Sequence, residues 1–172
     1  EKYYLLAIEK GNAEGLNNLA ILFTTQTRYS EAEKYLLLAI EKENIKALNN
    51  LANLYKDLER YPEAEKYYLV AIEKGVDEAL FNLALLYEIQ EKYTEAEKCY
   101  QLAINKGNIY ALNNLAYLYY QNNRNKYIAL EYINKACDKE NDTIYRESQL
   151  IIELWNGVFK NVENQIISIV TE

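Results

Sequence analysis

Amide side chains recur at one spacing in this chain, and they are the residues best equipped for hydrogen-bond chemistry. The segment "NNLA" begins at Asn17, Asn49 and Asn113, and "FNLA" stands in the same register at Phe81. Asparagine lowers helix stability by about 0.5 kcal/mol relative to alanine, so its recurrence within helical sequence calls for an explanation. An amide carries both a donor and an acceptor, and it can therefore bind a peptide group whatever the side chain. The alternatives are bonds to a neighbouring helix or simple exposure to water.

Residues that would support catalysis or metal binding are absent or isolated. The sequence has no histidine, the commonest general base and metal ligand. It also has no glycine-rich phosphate loop and no nucleophile motif. The two cysteines, Cys99 and Cys137, have no partner at metal-ligand spacing. We therefore expect no enzymatic activity, no metal and no cofactor.

Charge and hydropathy narrow the classes of partner. The formal net charge is −7, which argues against nucleic acid because nucleic-acid binders normally present a basic face. No apolar run approaches the roughly 18 residues needed to cross a bilayer, so no membrane partner is expected. Free thiols suit a reducing compartment, and we expect a cytoplasmic protein. The chain starts at Glu1 and contains no methionine, so we expect a piece of a longer protein, in which missing targeting signals mean little.

A period of 32 residues runs through most of the chain. "AIEK" begins at Ala7, Ala39 and Ala71, and "AINK" follows at Ala103. Each period predicts two helices, because apolar residues recur at spacings of three and four in both "NIKALNNLANLYKDL" and "ERYPEAEKYYLVAIEKG". Such pairs cannot bury their apolar faces alone and stack on their neighbours. The predicted fold class is therefore all-α, an α-solenoid of antiparallel helix pairs with a 32-residue period.

Short motifs predict where these helices begin and end. "SEAE" from Ser30 and "TEAE" from Thr94 predict capping boxes, and Pro62 takes the equivalent place, where a missing N–H does no harm. Glycines predict left-handed caps after the second helix of each pair, and Glu43 replaces the glycine in one unit, where the turn is expected to be slightly strained or differently closed. These glycines are Gly11, Gly75 and Gly107. Asparagines that follow the turns predict N-caps, namely Asn12, Asn44 and Asn108.

Two parts of the chain follow from these signals. Residues 1–139 are predicted to be the repeat array, with an orphan helix at 1–10 and four helix pairs across 12–139. Residues 140–172 keep helical spacing but lose the repeat consensus, and they are predicted to form a divergent terminal helix pair of the same solenoid. The apolar segment "IISIV" near the end indicates either that more protein follows or that this end meets a partner.

The repeats resemble tetratricopeptide repeats. In the second unit, Leu48, Leu51–Ala52 and Tyr55 are followed by an alanine–tyrosine–alanine pattern that matches that family. The period is shorter than the family's roughly 34 residues, and the family's proline near the end of the second helix is absent. The connection "AIEKGNAEGLNNLA" instead resembles Sel-one-like repeats. The resemblance implies a right-handed superhelix whose first helices line a concave groove that binds peptides or partner proteins.

The resemblance also implies which residues would bind an extended peptide. In some long arrays of this family, asparagines two positions before the small residue of the first helix hold the peptide backbone. Here that position is Asn18, Asn50, Asn82 and Asn114. Further candidates on the same helix faces are Asn17, Asn49, Asn53, Phe81, Leu85, Asn113, Tyr117 and Tyr120. If these asparagines bind only a ligand, changing Asn50 and Asn82 to alanine should leave thermal stability nearly unchanged.

The sequence thus favours a protein-interaction scaffold that binds an extended peptide or a partner segment of unknown identity. This groove lacks the lysine and arginine cluster with which some members clamp a terminal carboxylate, so an uncharged or mixed segment is the better ligand. The alternative is a self-assembly module that associates end to end, or a regulatory arm of a larger multidomain protein. Most tyrosines are expected to fill space between helices.

Overall fold

The protein is described here by a computed structural model that covers residues 12–121 together with residues 131, 132 and 157. In this part of the chain there are seven α-helices and no strand, so the all-α prediction is confirmed. The helices are α1 (Ala13–Thr25), α2 (Tyr29–Glu41), α3 (Lys46–Asp57), α4 (Tyr61–Glu73), α5 (Glu78–Ile89), α6 (Tyr93–Asn105) and α7 (Tyr110–Gln121). The predicted orphan helix at 1–10, nearly all of the second helix of the fourth pair and nearly all of 140–172 lie outside the described residues.

Successive helices pack as hairpins, and the hairpins stack. The first helix of a pair packs on the second, as α1 does on α2 and α3 on α4, and the second helices α2 and α4 pack on the next first helices, α3 and α5. First helices also contact one another, α1 with α3 and α3 with α5. The protein is therefore a helical-repeat solenoid. The chain divides into two compact units, Glu1–Cys99 and Tyr100–Glu172; the predicted boundary at residue 140 stays a prediction.

Small and large side chains alternate in the core of each pair. Ala52 on the first helix is completely buried, as are Ala64, Tyr68 and Ala71 on the second. Alanines let the helices approach closely, and the tyrosine ring fills the space between them. The predicted role of the recurrent tyrosines as packing residues is confirmed for the five that are buried on described helices, Tyr55, Tyr68, Tyr87, Tyr100 and Tyr119.

Left-handed residues end the helices, and glycine supplies only some of them. Gly75 and Gly107 have φ of 85° and 88°, as predicted, and Glu43 adopts the same region with φ of 60°. After α2, the backbone N–H of Asn44 donates to the Ala39 carbonyl at 2.9 Å, which closes the last turn of the helix. First helices end in the same way on non-glycine residues, which the sequence did not indicate: Thr27, Glu59 and Glu91.

Two kinds of predicted N-cap are wrong. The Ala32 amide donates to the Arg28 carbonyl at 3.0 Å, so α2 begins at Tyr29 and Ser30 already lies in its first turn. Thr94 likewise follows Tyr93, the first residue of α6. Asn44 does not cap α3 with its side chain; its Nδ2 donates to the Ala13 carbonyl of the preceding repeat at 3.3 Å. Asn12 and Asn108 accept first-turn amides as predicted.

A tyrosine–glutamate hydrogen bond joins the second described repeat to the first and the third to the second. Tyr55 on α3 donates its hydroxyl to Glu33 Oε1 on α2 at 2.7 Å. The Arg60 guanidinium lies 4.2 Å from the Tyr55 ring centroid and 3.4 Å from Glu33 Oε1. Burial, reinforced by the Glu33 carboxylate, raises the pKa of Tyr55, so the phenol remains a donor. The following repeat has the same arrangement with Tyr87, Glu65 and Lys92.

Replacing Glu43 with glycine is expected to stabilise the protein by about 0.5–1 kcal/mol. A side chain in the left-handed region carries a steric penalty that glycine lacks, partly offset by the greater freedom of glycine in the unfolded chain. Urea unfolding would show a higher midpoint with an unchanged slope. Gly75→Ala is the matched reverse variant: a Cβ there meets nothing within 4 Å, so only backbone strain acts and the midpoint should fall. Changes of the same sign in both variants would contradict this account of the turn.

Candidate functional site

Three candidate asparagines face the interior of the helix stack. The sequence analysis named them as further candidates for binding a peptide in the groove, but their side chains are almost inaccessible. The relative exposure is 6% for Asn17, 8% for Asn49 and 7% for Asn113. The adjacent asparagines are half-buried, namely Asn18, Asn50, Asn82 and Asn114. Buried amides require partners, so the hydrogen bonds between first helices decide what these residues do.

Asparagines of successive first helices bond to each other. Asn50 Nδ2 on α3 donates to Asn17 Oδ1 on α1 at 2.8 Å, and Asn82 Nδ2 on α5 donates to Asn49 Oδ1 on α3 at 3.0 Å. The two adjacent asparagines of α3 therefore serve different pairs, one toward each neighbouring repeat. This is one of the alternatives that the sequence left open, a bond to a neighbouring helix. Ligand binding by the same residues stays a prediction.

The amide pairs leave hydrogen-bonding capacity unused. Asn50 Nδ2 carries two hydrogens and uses one of them in the bond to Asn17. Within the described residues, Asn50 Oδ1 accepts no hydrogen bond. The same holds for Asn82 Oδ1 next to Asn49. Both residues are half-buried rather than enclosed. An amide that is fixed through its nitrogen presents its oxygen in one direction, so it is a preorganised acceptor.

Apolar side chains lie along the same first helices in the unit Glu1–Cys99. Ile21 on α1 is 43% exposed and Ile89 on α5 is 54% exposed. Leu85 and Phe81 on α5 are half-buried. Asn53 occupies the corresponding place on α3, where its Oδ1 accepts the Tyr68 hydroxyl at 2.6 Å. Ile89 was missed by the sequence analysis, although its position four residues after Leu85 places it on the same helix face.

Helix α7 carries a separate aromatic surface in the unit Tyr100–Glu172. Tyr117 is 43% exposed, and its ring is stacked with that of Tyr120 at a centroid distance of 6.3 Å. Tyr110, which begins this helix, is exposed as well. Asn114 Nδ2 donates to the Tyr100 hydroxyl at 3.4 Å. Exposed tyrosines contribute large contact areas with little loss of conformational entropy, which makes them favourable anchors for a partner.

The described residues include no metal-binding cluster, no reactive cysteine and no helix that could cross a membrane. Residues 12–121 and the three further described positions contain no group of three or more histidine, cysteine, aspartate or glutamate side chains that could hold a metal ion. Burial, together with Glu65 and Glu95, raises the pKa of Cys99 to about 11, so its thiol is protonated at neutral pH and a weak nucleophile. Among the described helices, none is long and apolar enough to cross a membrane.

Comparison with known proteins supports the family suggested by the repeats. Residues 49–109 match a family model described as tetratricopeptide repeat. A tetratricopeptide repeat protein from Parabacteroides merdae ATCC 43184 superposes with a TM-score of 0.70 at 22% identity, over 93% of this chain and 67% of that one. Residues 49–109 thus have the sequence of tetratricopeptide repeats, and the solved structure shows that the fold is of the same kind. The crystal structure of MamA is also similar, with a TM-score of 0.65 at 20% identity over 79% of this chain and 82% of that one. No curated protein matches the sequence.

The match over residues 49–109 bears on the general role of this segment. Repeats of this family generally mediate interactions between proteins, and the fold is typically a non-enzymatic scaffold. The matched segment covers the second helix pair from residue 49 onward and the whole third pair, and it contains at least one member of both asparagine pairs. The Sel-one-like character of the connecting turns stays a prediction.

Proposed function

We propose that this chain is a non-enzymatic scaffold that binds an extended segment of a partner protein across α1, α3 and α5. The exposed apolar side chains of Ile21 and Ile89 carry this proposal. They project from the layer of first helices, whose other large apolar residues are mostly buried. Exposed apolar groups that share one surface mark interaction sites, whereas scattered ones do not.

The asparagines give such a segment hydrogen-bond partners. Asn50 and Asn82 occupy equivalent positions on adjacent helices, and each has an amide oxygen that accepts no bond within the described residues. An extended peptide exposes backbone N–H groups that need acceptors when they are desolvated. Two fixed acceptors on neighbouring helices would bind the backbone without regard to sequence, and the apolar residues would select side chains.

The charge on this surface favours an uncharged or mixed segment. Among the described residues, the lysines of this surface are Lys46 and Lys56. Lys56 Nζ lies 4.0 Å from Asp57 Oδ1, which partly offsets the charge of the lysine. A net charge of −7 opposes binding of nucleic acid or of a strongly acidic peptide. The free, half-buried Cys99 is compatible with a reducing compartment, and it supports our proposal of a cytoplasmic location.

An array of short random peptides, probed with the full chain, tests the proposal. A variant with Ile21→Glu and Ile89→Glu should lose at least tenfold in affinity for the peptides selected by the unmodified chain, because each glutamate must be desolvated on binding. Both positions are solvent-accessible, so circular dichroism should show an unchanged helix content.

Leu102→Glu is the matched control, because Leu102 is an exposed leucine on the second helix α6. It should leave peptide binding unchanged. Equal losses in the control and in the test variant, or a chain that selects no peptide, would remove the proposal. End-to-end self-association and fusion to a larger protein concern residues outside those described and stay predictions.

A further inference from the structure

The side of the second helices that faces away from the core carries one pattern twice. On α2, Lys34, Leu37 and Glu41 are exposed and lie on one side of the helix, opposite the buried Ala32 and Ala39. Leu37 is 37% exposed, and its counterpart on α4 is 44% exposed. We call these residues the outer stripe. Its members are Lys34, Leu37 and Glu41 on α2 and Lys66, Leu69 and Glu73 on α4.

The charged members of the outer stripe have no ionic partner within the described residues. None of Lys34, Glu41 and Glu73 forms an ion pair there, and Lys66 contacts only the Tyr67 ring, at 5.7 Å from its centroid. A shallow cavity of about 460 Å³ lies beside the leucine of α2. Among the described residues, it is lined by Ser30, Glu33, Lys34, Leu37, Leu38 and Glu41.

The order of charges along the stripe makes it complementary to itself. A lysine precedes the leucine by three residues and a glutamate follows it by four, on both helices. If two copies met with their helices parallel, lysine would face lysine and glutamate would face glutamate. If they met antiparallel with the leucines in contact, each lysine would face a glutamate. At about 1.5 Å of rise per residue, the facing charges would be offset by only about 1.5 Å along the axis.

We propose that the outer stripe is a contact surface for a second copy of this chain. In the resulting dimer, α2 packs antiparallel on α2 of the second copy and α4 packs antiparallel on its α4. Lys34 faces Glu41 of the second copy, and Leu37 faces the second Leu37. Because α2 and α4 are equivalent helices of successive repeats, one two-fold axis along the stacking direction produces both contacts, as an isologous interface requires.

The pattern ends where the next repeat begins to differ. On α6 the equivalent residues are Lys98, Gln101 and Asn105, so neither the leucine nor the acidic partner is present. Two helix–helix contacts make a small interface, below about 1,200 Å² of buried surface, which is the size class of weak and transient complexes. We therefore expect a dimer that dissociates on dilution, with a Kd on the order of 100 µM, and that weakens as salt screens the exposed charges.

Sedimentation equilibrium of the full chain over a concentration series tests the contact through charge reversal. A variant with Lys34→Glu and Lys66→Glu should be monomeric, with association weakened at least tenfold, because acidic residues then face acidic residues. The variant with Glu41→Lys and Glu73→Lys should be monomeric for the opposite reason. An equimolar mixture of the two variants should form a heterodimer, because every contact is again between opposite charges.

The control is Lys98→Glu on α6, which should leave the dimer unchanged. All the altered side chains are exposed, so each variant should keep its helix content by circular dichroism. A strictly monomeric unmodified chain would overturn the proposal. The proposal would also be overturned if both charge-reversal variants still associated, or if the chain formed assemblies larger than a dimer that do not respond to these charges. Either result would assign association to the ends of the array.

Discussion

Replacing Tyr68 with alanine is expected to lower the free energy of unfolding by about 3–5 kcal/mol, the typical loss for removing a large buried ring. Tyr68 has no exposed surface, and it is among the largest fully buried side chains of the described residues. Its ring fills the space between α4 and the neighbouring helices, and its hydroxyl donates to Asn53 Oδ1 at 2.6 Å. Because a solenoid is stabilised by contacts between neighbouring repeats, the loss should extend beyond the second helix pair.

Denaturant unfolding followed by circular dichroism would measure this loss, and two variants separate its causes. Tyr68→Phe removes only the hydroxyl and should lower the free energy of unfolding by about 1 kcal/mol. Lys66→Ala changes an exposed residue of the same helix and should stay within about 0.5 kcal/mol of the unmodified protein. A loss below 1 kcal/mol for Tyr68→Ala would mean that the helix pair closes over the space left by the ring.

Replacing Asn50 with alanine is expected to destabilise the protein by about 1–3 kcal/mol, because it leaves Asn17 Oδ1 without its donor at a site that water barely reaches. From the sequence alone we expected almost no effect, since a residue that binds only a ligand contributes little to the free protein. The structure reverses that expectation through a single contact of 2.8 Å.

A double-mutant cycle with Asn17→Ala measures the contact itself. Removing both amides also removes the unpaired acceptor, so the double variant should be more stable than the sum of the two single losses predicts, by about 0.5–1.5 kcal/mol. Asn114→Ala is the comparison, because its bond to Tyr100 is longer, at 3.4 Å, and a smaller loss is expected. Additive losses in the cycle, with unchanged stability for Asn50→Ala, would return this residue to a role in ligand binding alone.

The period, the helix pairs and most of the core could be predicted because they depend on patterns that neighbouring residues already contain. Residues equivalent to Leu51, Ala52 and Tyr68 recur in the other repeats at spacings that bury one helix face. Gly75 marks a turn whose left-handed conformation glycine adopts without strain. These signals are local, so no knowledge of the partner helix was needed.

The errors arise where tertiary contacts override a local motif. Ser30 has the sequence of a capping box, but a left-handed residue at Thr27 turns the chain early enough for α2 to begin at Tyr29. The left-handed conformation of Thr27 was not predicted, because it is stabilised by the packing of α2 against α1, which the local sequence does not reveal. The role of Asn50 depended in the same way on Asn17, whose position on another helix the sequence does not give.

The hydrogen bond between asparagine side chains of successive repeats also bears on how such an array could lengthen or shorten. Donor and acceptor lie 33 residues apart, one more than the period, so a repeat supplies a donor to its predecessor and an acceptor to its successor. All four donor positions are asparagine, whereas the acceptor position is asparagine in three repeats and Phe81 in the other. Loss of the 32 residues 45–76 would bring Asn82 to the place of Asn50, next to Asn17, with the same bond available. Loss or gain of a whole repeat therefore keeps this hydrogen bond available wherever the preceding repeat has asparagine at the acceptor position. The repeat that contains Phe81 has no side-chain acceptor there, so its successor cannot form the bond.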